Sequence, residues 1–372
     1  MRLKIEKLVY GGSGLARSDE GVVFVPKSAP GDVIEAQIVE RKKDYSVARM
    51  TKLLEPSPDR QPALCAAGCC HWQHIRYDRQ VEYKESIIRE SLTRLGHIEW
   101  NGNINRITGP DRNYRLRATF HVVGGTFGFM LEKSNTIVPI RECASLVPEL
   151  NEFIRTANPS GAREVHVVSA PEIAATFVLL DGTLARQGRA TIHVDRIQYR
   201  INPETFFQAN RFLLAPFINE VLLQAGPTPK NVLDLYSGVG FFSIPLSQIA
   251  AEVIGVEGNH AAVRLFRENV RTNGRSNLKV FEGQVDTSLQ EADVKPDVVV
   301  LDPPRAGCGT RTAQRITGLK PGRIVYVSCN PTTFAHEASV CLTHGYDLKR
   351  LTLIDQFPNT YHIEMVAMFE SR

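Results

Sequence analysis

The sequence of 372 residues contains no apolar run of the length that a membrane span requires. Its first residues, MRLKIEKLVY, also lack the apolar core of a secretory signal peptide, so we expect a cytoplasmic protein without a membrane partner. The composition is ordinary for a soluble globular protein, with 43% hydrophobic, 23% charged and 8% aromatic residues. A formal net charge of +4 is compatible with nucleic acid, but enzymes of small substrates have similar charges, so charge alone selects neither class.

Cysteine is scarce and odd in number, which argues against a framework of disulfides. Three of the seven cysteines, Cys65, Cys69 and Cys70, cluster in the segment CAAGCC. Such clustering is typical of metal binding or catalysis. A lone cysteine elsewhere is more often a small buried hydrophobic residue.

Residues 1–56 consist of short alternating segments separated by Gly and Pro turns, which predict a small β-barrel. The basic residues 41–43 with Tyr45, and Tyr10 beside a glycine turn, suit a surface that binds a sugar-phosphate backbone and stacks a base. Charges that only keep the barrel rim soluble would give the same pattern.

Residues 57–200 predict an α+β middle domain, because a linker, EPSPDRQP, precedes a helical pattern and then a series of alternating strands. Residues 201–372 show short apolar strands alternating with amphipathic helices. This rhythm predicts an α/β fold with a parallel, doubly wound sheet, whose ligands bind at the carboxyl ends of the strands. The last two strands, joined through FPNTYH, should pair antiparallel.

The segment LDLYSGVGFF places Gly238 and Gly240 in a turn between the first strand of this sheet and a helix. Glu257 ends the next strand, about twenty residues downstream, where it suits hydrogen bonds from a ribose diol. Such a pair fits a dinucleotide or S-adenosylmethionine. The turn lacks a further glycine inside the helix, and Asp302 in DPPR ends the fourth strand, so S-adenosylmethionine is favoured.

The apolar run of RIVYVSCNPTTF predicts a buried fifth strand that ends at Cys329. Asn330 and Pro331 would stop this strand sharply, so that the thiol projects into the crevice at the strand ends. The convergence of the glycine turn, DPPR and this cysteine on one crevice favours a reactive thiol over a packing residue.

Five motifs of the chain are specific enough to suggest a family: DLYSGVGFFS, GVEGN, VVLDPPRAG, YVSCNPTTFA and DQFPNTYHIEMVAMF, preceded by ETFFQAN. In this order they resemble the RNA uracil-5-methyltransferases. The resemblance covers the whole chain. It implies a Rossmann-like class I methyltransferase domain preceded by an OB-like TRAM barrel, which binds RNA, and by an iron–sulfur middle domain.

The resemblance implies that Cys329 adds to carbon 6 of uracil and that Glu364 removes the proton from carbon 5. It further implies that the binding site for S-adenosylmethionine is formed by Gln208, Tyr236, Gly238, Phe241, Glu257 and Asp302. This chain has Phe241 where family members often carry Asn, which removes a side-chain hydrogen bond and leaves an apolar contact. Ser237 replaces a frequent Cys without obvious chemical consequence.

The family resemblance also implies a [4Fe-4S] cluster on four thiolates, those of Cys65, Cys69, Cys70 and Cys143. The spacing departs from the family's pattern, because Cys69 and Cys70 are adjacent and cannot easily face one cluster. Zinc, or no metal at all, remains an alternative.

Three other functions fit the sequence less well. RNA 5-methylcytosine enzymes generally carry a PC-type motif after the fourth strand, where this chain has DPPR. An amino-group methyltransferase has no need for Cys329. A non-catalytic RNA-binding module or chaperone would not need the full set of polar and reactive residues at the strand ends.

The expected partner is RNA, whose target uridine must leave its stack to reach Cys329. Large-subunit ribosomal RNA is the first choice, because the TRAM-like barrel is more usual in that branch of the family, and the T-loop uridine of transfer RNA is the second. We expect Arg115 and Arg117 of the middle domain, with the basic barrel residues, to hold the RNA backbone. We also expect a monomer.

Overall fold

A computed structural model describes residues 1–64, 70–131, 135–159, 161–170, 175–180, 183–184, 190–291 and 295–372. Its strands form a closed amino-terminal sheet, a six-stranded antiparallel sheet, a hairpin and an eight-stranded mixed sheet. No helix within these ranges is both long and apolar enough to cross a membrane.

The amino-terminal sheet is a small barrel of six strands in the order β1-β5-β6-β4-β3-β2. The strands are β1 (Arg2–Lys4), β2 (Lys7–Leu8), β3 (Gly14–Ser18), β4 (Gly21–Val25), β5 (Val33–Arg41) and β6 (Tyr45–Glu55). Because β1 and β2 are consecutive pieces of the chain, the two edges of the sheet meet and close it. Alternate apolar residues, among them Ile5, Val25 and Ile34, fill the interior. The predicted barrel is confirmed.

The middle of the chain forms an antiparallel sheet in the order β10-β9-β8-β11-β12-β13, which packs against α2 and is followed by the hairpin β14-β15, whereas α1 packs against α8 (Pro331–Thr343). The elements are α1 (Tyr77–Gly96), β7 (Ile104–Ile107), β8 (Arg117–Val123), β9 (Thr126–Met130), β10 (Ile137–Pro139), α2 (Pro148–Thr156), β11 (Glu164–Ala170), β12 (Ala175–Leu180), β13 (Thr183–Leu184), β14 (Ala190–Val194) and β15 (Ile197–Ile201). Helix α1 ends at Gly96, where a Cβ atom would lie only 2.7 Å from the carbonyl oxygen of Ala335. A glycine at this position therefore permits close helix packing.

The carboxyl-terminal sheet has the order β18-β17-β16-β19-β20-β22-β21-β7. Its elements are α3 (Leu214–Ala225), β16 (Asn231–Leu235), α4 (Ser243–Leu246), β17 (Glu252–Glu257), α5 (His260–Thr272), β18 (Leu278–Glu282), α6 (Val285–Glu291), β19 (Val298–Leu301), α7 (Thr310–Gly318), β20 (Arg323–Ser328), α8 (Pro331–Thr343), β21 (Tyr346–Ile354) and β22 (Glu364–Ser371). The chain order reverses between β16 and β19, which creates the crevice where such sheets bind ligands. The Rossmann-like fold is confirmed.

Two features distinguish the last strands of this sheet, from β20 to β7. Strand β22 runs antiparallel to both β20 and β21, as the helix-free connection between the last two strands predicts. Strand β7, from the middle of the chain, pairs parallel with β21 and extends the sheet. The domain boundaries at residues 56 and 200 stay predictions, and β7 links the segments on either side of the second boundary.

Candidate active site

Chemically active side chains from neighbouring strands meet at the carboxyl edge of the eight-stranded sheet. Asp234 lies near the end of β16, Glu257 ends β17, and Asp302 follows β19. Cys329 follows β20, and Glu364 begins β22. The register pairs the last residue of β20 with the second residue of β22, so the cysteine and Glu364 lie side by side.

The glycine turn after β16 brings the backbone and Glu257 together. Tyr236 and Gly238 both have left-handed backbone angles, with φ of 61° and 56°. The Gly238 N–H donates to one carboxylate oxygen of Glu257 at 2.8 Å, and the Asn259 N–H donates to the other at 2.6 Å. A Cβ atom at Gly238 would contact nothing within 4 Å, so the turn faces open space that a ligand can approach.

Gln208 and Phe241 are both buried, at 5% and 6% exposure. The segment that carries Gln208 is held to the middle sheet by the Leu116 N–H, which donates to the Ala209 carbonyl at 2.8 Å. Phe241 packs among four other aromatic rings, those of Tyr199, Phe207, Phe217 and Phe242. Its contact with the cofactor stays a prediction, because the ring lies in the core.

Three carboxyl groups at the crevice hold protons unusually well. Burial raises the pKa of Asp234 to about 7, and the Ser243 hydroxyl, which donates to this carboxylate, opposes the shift. Burial and the neighbouring Asp234 raise the pKa of Asp302 to about 7. Burial and Asp302 raise the pKa of Glu364 well above its usual range. Raised carboxyl pKa values are typical of groups that transfer protons.

Cys329 occupies the junction between a strand and a helix. Strand β20 ends at Ser328, and α8 begins at Pro331, with Asn330 as its N-cap. The Asn330 side chain accepts a hydrogen bond from the Thr332 N–H at 3.0 Å and donates to the Arg305 carbonyl at 2.9 Å. The prediction that these residues end the strand at the thiol agrees with this geometry.

The thiol of Cys329 is protonated in the ligand-free protein. Burial raises its pKa to about 12, and the nearby Glu364 and Asp302 add to the shift, whereas Arg305 opposes it. Because a cysteine reacts as its thiolate, this environment disfavours the reactive form of the thiol.

A buried polar network holds the segment 355–363, which we call the catalytic loop. The Lys84 ammonium pairs with Asp355 at 2.6 Å, with both side chains fully buried, and donates to the Phe357 carbonyl at 3.0 Å. The Gln80 amide donates to the Asn359 side chain at 3.0 Å and accepts from its backbone N–H at 2.8 Å. Sequence reasoning missed this network. The sequence feature that could have indicated the network is the presence of a lysine and a glutamine on the apolar face of α1.

The amino-terminal barrel also contacts the site. The Tyr10 hydroxyl donates to the carbonyl oxygen of Cys329 at 3.4 Å, and the ring is half-buried beside Tyr361. The sequence pattern suits a surface on which Tyr10 would stack a base, whereas the structure places Tyr10 against Cys329. Tyr45 does lie exposed on the barrel, together with the basic residues 41–43.

The two arginines expected to hold RNA already have partners inside the protein. Arg117 donates to the Thr205 carbonyl at 2.7 Å, and burial lowers its pKa to about 10. Arg115 donates to the Arg117 carbonyl at 2.9 Å. Both side chains are half-buried, and their contact with RNA stays a prediction.

Of the four cysteines expected to bind a metal, Cys65 and Cys69 lie outside the described residues. Cys70 and Cys143 are buried, and the Cys70 sulfur lies 3.2 Å from the hydroxyl of Ser145, two residues beyond Cys143. Across the described part of the chain, no group of three or more His, Cys, Asp or Glu side chains is arranged to hold a metal ion.

A doubly wound sheet with a glycine turn after β16 and an acidic residue at the end of β17 defines a Rossmann-like domain of the class that binds a nucleotide-type cofactor. Comparison with known families agrees. The family model for tRNA (uracil-5-)-methyltransferase matches residues 178–372, and the model for the TRAM domain of tRNA (uracil(54)-C(5))-methyltransferase matches residues 1–58.

Individual relatives align over almost the whole chain. An uncharacterized RNA methyltransferase of Aquifex aeolicus is 34% identical over 100% of this chain and 98% of its own. The 23S rRNA (uracil(1939)-C(5))-methyltransferase RlmD of Shewanella sp. strain MR-4 is 32% identical over 98% of this chain and 94% of its own. The crystal structure of Pyrococcus abyssi tRNA (uracil-54, C5)-methyltransferase in complex with S-adenosyl-L-homocysteine has a TM-score of 0.79 and 28% identity, covering 99% of this chain and 100% of that chain.

The chain therefore belongs to the tRNA (uracil-5-)-methyltransferase family. It is an S-adenosylmethionine-dependent RNA uracil-5-methyltransferase with an amino-terminal TRAM domain. The predicted family, reaction and methyl donor are confirmed.

Proposed function

We propose that the chain methylates a uridine of 23S ribosomal RNA through a covalent bond between Cys329 and carbon 6 of the uracil. The relatives named for 23S ribosomal RNA support this target, because they align over at least 98% of the chain. The single observation that carries the mechanism is the side-by-side placement of Cys329 and Glu364 at the crevice.

A second candidate substrate is the T-loop uridine of transfer RNA. The Pyrococcus abyssi enzyme named for uracil 54 of tRNA shares the fold over 99% of this chain. The barrel also matches the TRAM model named for that type of enzyme. These observations favour a T-loop as the alternative target.

The first chemical step belongs to Cys329. Carbon 5 of uracil is a poor nucleophile, so the thiolate first adds to carbon 6. The S–C6 bond forms, and the electron pair of the C5–C6 double bond moves toward the carbonyl oxygen at carbon 4, which leaves carbon 5 electron-rich. S-adenosylmethionine, which the glycine turn, Glu257 and Asp302 would hold, would supply the methyl group: a bond would form between carbon 5 and the methyl carbon, the sulfonium S–CH3 bond would break, and S-adenosylhomocysteine would leave. Its positive charge would favour ionised carboxyl groups nearby.

The second step belongs to Glu364. Its carboxylate takes the proton from carbon 5 after methylation, the electron pair restores the C5–C6 double bond, and the S–C6 bond breaks to release the thiolate. Burial and Asp302 hold the pKa of Glu364 well above its usual range. The ionised carboxylate is therefore a stronger base than an ordinary glutamate.

The target is tested by incubating the enzyme with labelled S-adenosylmethionine and either 23S ribosomal RNA or transfer RNA from cells that lack 5-methyluridine. We expect label in 23S ribosomal RNA, with 5-methyluridine at one position by mass spectrometry. Label only in the T-loop of transfer RNA would establish the second candidate. Label in neither RNA would reject both.

We also propose a [4Fe-4S] cluster bound by Cys65, Cys69, Cys70 and Cys143. The support is that Cys70 contacts Ser145, which places its sulfur near the chain segment of Cys143. Protein purified without oxygen should be brown and contain iron and sulfide, and Cys143→Ser should lose both, whereas Cys341→Ser, at a buried position in α8, should retain them. Stoichiometric zinc would identify the alternative metal, and a colourless protein without metal would reject the cluster.

A further inference from the structure

The glycine turn of the barrel, residues 9–13, lies directly on the catalytic loop. Gly12 has a φ of 89°, and a Cβ atom there would lie 2.7 Å from the Cδ1 atom of Tyr361. The barrel backbone therefore packs against the loop at a distance that only glycine permits without a shift of the Tyr361 ring.

Trp72 fixes the turn and the loop to each other. Its fully buried indole N–H donates to the Gly12 carbonyl at 3.0 Å, and its backbone N–H donates to the Asn359 carbonyl at 2.9 Å. One residue thus bonds to the barrel on one side and to the catalytic loop on the other. The barrel is held at the site independently of any RNA.

Tyr10 extends from this turn to the nucleophile. Its ring packs edge-to-face against Tyr361, with centroids 6.0 Å apart and an interplanar angle of 88°. Its hydroxyl donates to the carbonyl oxygen of Cys329 at 3.4 Å. Burial raises the pKa of Tyr10 to about 12, so the hydroxyl keeps its proton and remains a donor at any working pH.

We propose that Tyr10 is a positioning residue for the nucleophile, so that the barrel completes the active site in addition to binding RNA. Cys329 is the first residue beyond β20, where the strand ladder no longer holds the backbone. A hydrogen bond to its carbonyl limits rotation of this peptide unit, and the direction of the thiol depends on that rotation. The inference rests on the proposed role of Cys329 as the nucleophile.

The test is Tyr10→Phe, which retains the ring and removes the hydroxyl. RNA with 5-fluorouridine at the target position traps the covalent adduct, since fluorine cannot leave carbon 5 as a proton. We expect the adduct to form about three- to tenfold more slowly, the range that one neutral hydrogen bond gives. The affinities for RNA and S-adenosylmethionine should stay within about twofold, because the variant retains the ring and the hydroxyl donates to a carbonyl oxygen of the protein itself.

A second measurement needs no RNA. In the ligand-free protein, Tyr10→Phe should speed alkylation of the Cys329 thiol by iodoacetamide, because its backbone is less firmly held. The buried Cys341 is the internal control, since general loosening would expose it as well. Faster alkylation of Cys329 with unchanged alkylation of Cys341, together with slower adduct formation, is a combination that general destabilisation does not give.

The matched control is Tyr346→Phe. The Tyr346 hydroxyl donates to the Pro321 carbonyl at 2.9 Å, at the opposite end of β21 from the site. This variant should form the adduct at the wild-type rate, and its Cys329 thiol should be alkylated at the wild-type rate. Equal alkylation of Cys329 in Tyr10→Phe and wild type would overturn the inference, as would weaker RNA binding with an unchanged adduct rate. A wild type that forms no adduct would instead reject the covalent mechanism and, with it, the inference.

Discussion

The two halves of the candidate active site differ in how far apart their residues lie in the sequence. The glycine turn and Glu257 of the cofactor half lie within residues 231–259, which form one strand–turn–helix unit and the next strand. The nucleophile half combines Cys329 and Glu364 with groups from α1 and the barrel, up to 319 residues away along the chain. The first half depends on local backbone geometry, and the second depends on how separate parts of the chain pack together.

The first prediction has the largest expected effect, and it separates methyl transfer, which needs the nucleophile half, from the binding of S-adenosylmethionine by the cofactor half. Cys329→Ala should reduce methyl transfer by about four orders of magnitude or more, because no other group replaces the thiolate. The affinity for S-adenosylmethionine, measured by calorimetry, should not change. Cys341→Ala, at a buried position in α8, should retain activity. Methyl transfer by Cys329→Ala at a measurable fraction of the wild-type rate would contradict the covalent mechanism.

The second prediction concerns the long-range support of the nucleophile half. Lys84→Met leaves the Asp355 carboxylate buried without its partner, which should lower the free energy of unfolding by about 3 to 5 kcal/mol. The double variant Lys84→Met with Asp355→Leu should recover most of this loss, since it removes both charges. Urea denaturation measures both.

Lys349→Met is the control for this experiment, because it breaks an exposed ion pair with Asp347 and should cost less than about 1 kcal/mol. A Lys84→Met protein as stable as this control would mean that the buried pair does not hold the catalytic loop.

The same difference in sequence separation determines how much of each half could be predicted from the sequence. Gly238 and Glu257 were predictable, because a glycine turn and an acidic strand end are local patterns with a direct physical meaning. The position of Cys329 at a strand end in the crevice was also predictable, whereas its specific role and that of Glu364 were inferred from family motifs. The contact of Tyr10 with Cys329 was not predictable, because no local pattern specifies which distant segment a turn will pack against.

The fold shows the same limit. Alternating strands and amphipathic helices predicted the parallel sheet, and the helix-free connection predicted the antiparallel pair β21–β22. The pairing of β7 with β21 was missed, because the four residues INRI show no pattern that indicates which strand they pair with. Lys84 did leave a signal, because a charged residue on the apolar face of a helix requires a buried partner.

The third prediction concerns the crevice between the halves. Burial raises the pKa of Asp234 and Asp302 to about 7, so the folded state binds protons that the unfolded state has lost. The ligand-free protein should therefore lose stability as pH rises from about 4 to 7, by about 2 to 4 kcal/mol for one such group. Thermal denaturation at several pH values measures the slope.

Asp234→Asn should flatten this dependence, since an amide does not titrate. Asp347→Asn serves as the control, because exposed ion partners lower the pKa of Asp347 and its titration lies below this pH window. An unchanged slope in Asp234→Asn would show that this carboxyl group is ionised in the folded protein at neutral pH.

The smallest expected effect tests the cofactor half by itself. Glu257→Gln removes the charge from two hydrogen bonds, those from the N–H groups of Gly238 and Asn259, and should weaken S-adenosylmethionine binding about 10- to 100-fold. Glu282→Gln, at the end of the neighbouring β18, is the matched control and should bind with wild-type affinity. Alkylation of Cys329 should be unchanged in both variants, because local geometry alone supports the turn. A changed alkylation rate in Glu257→Gln would mean that the two halves are coupled before any substrate binds.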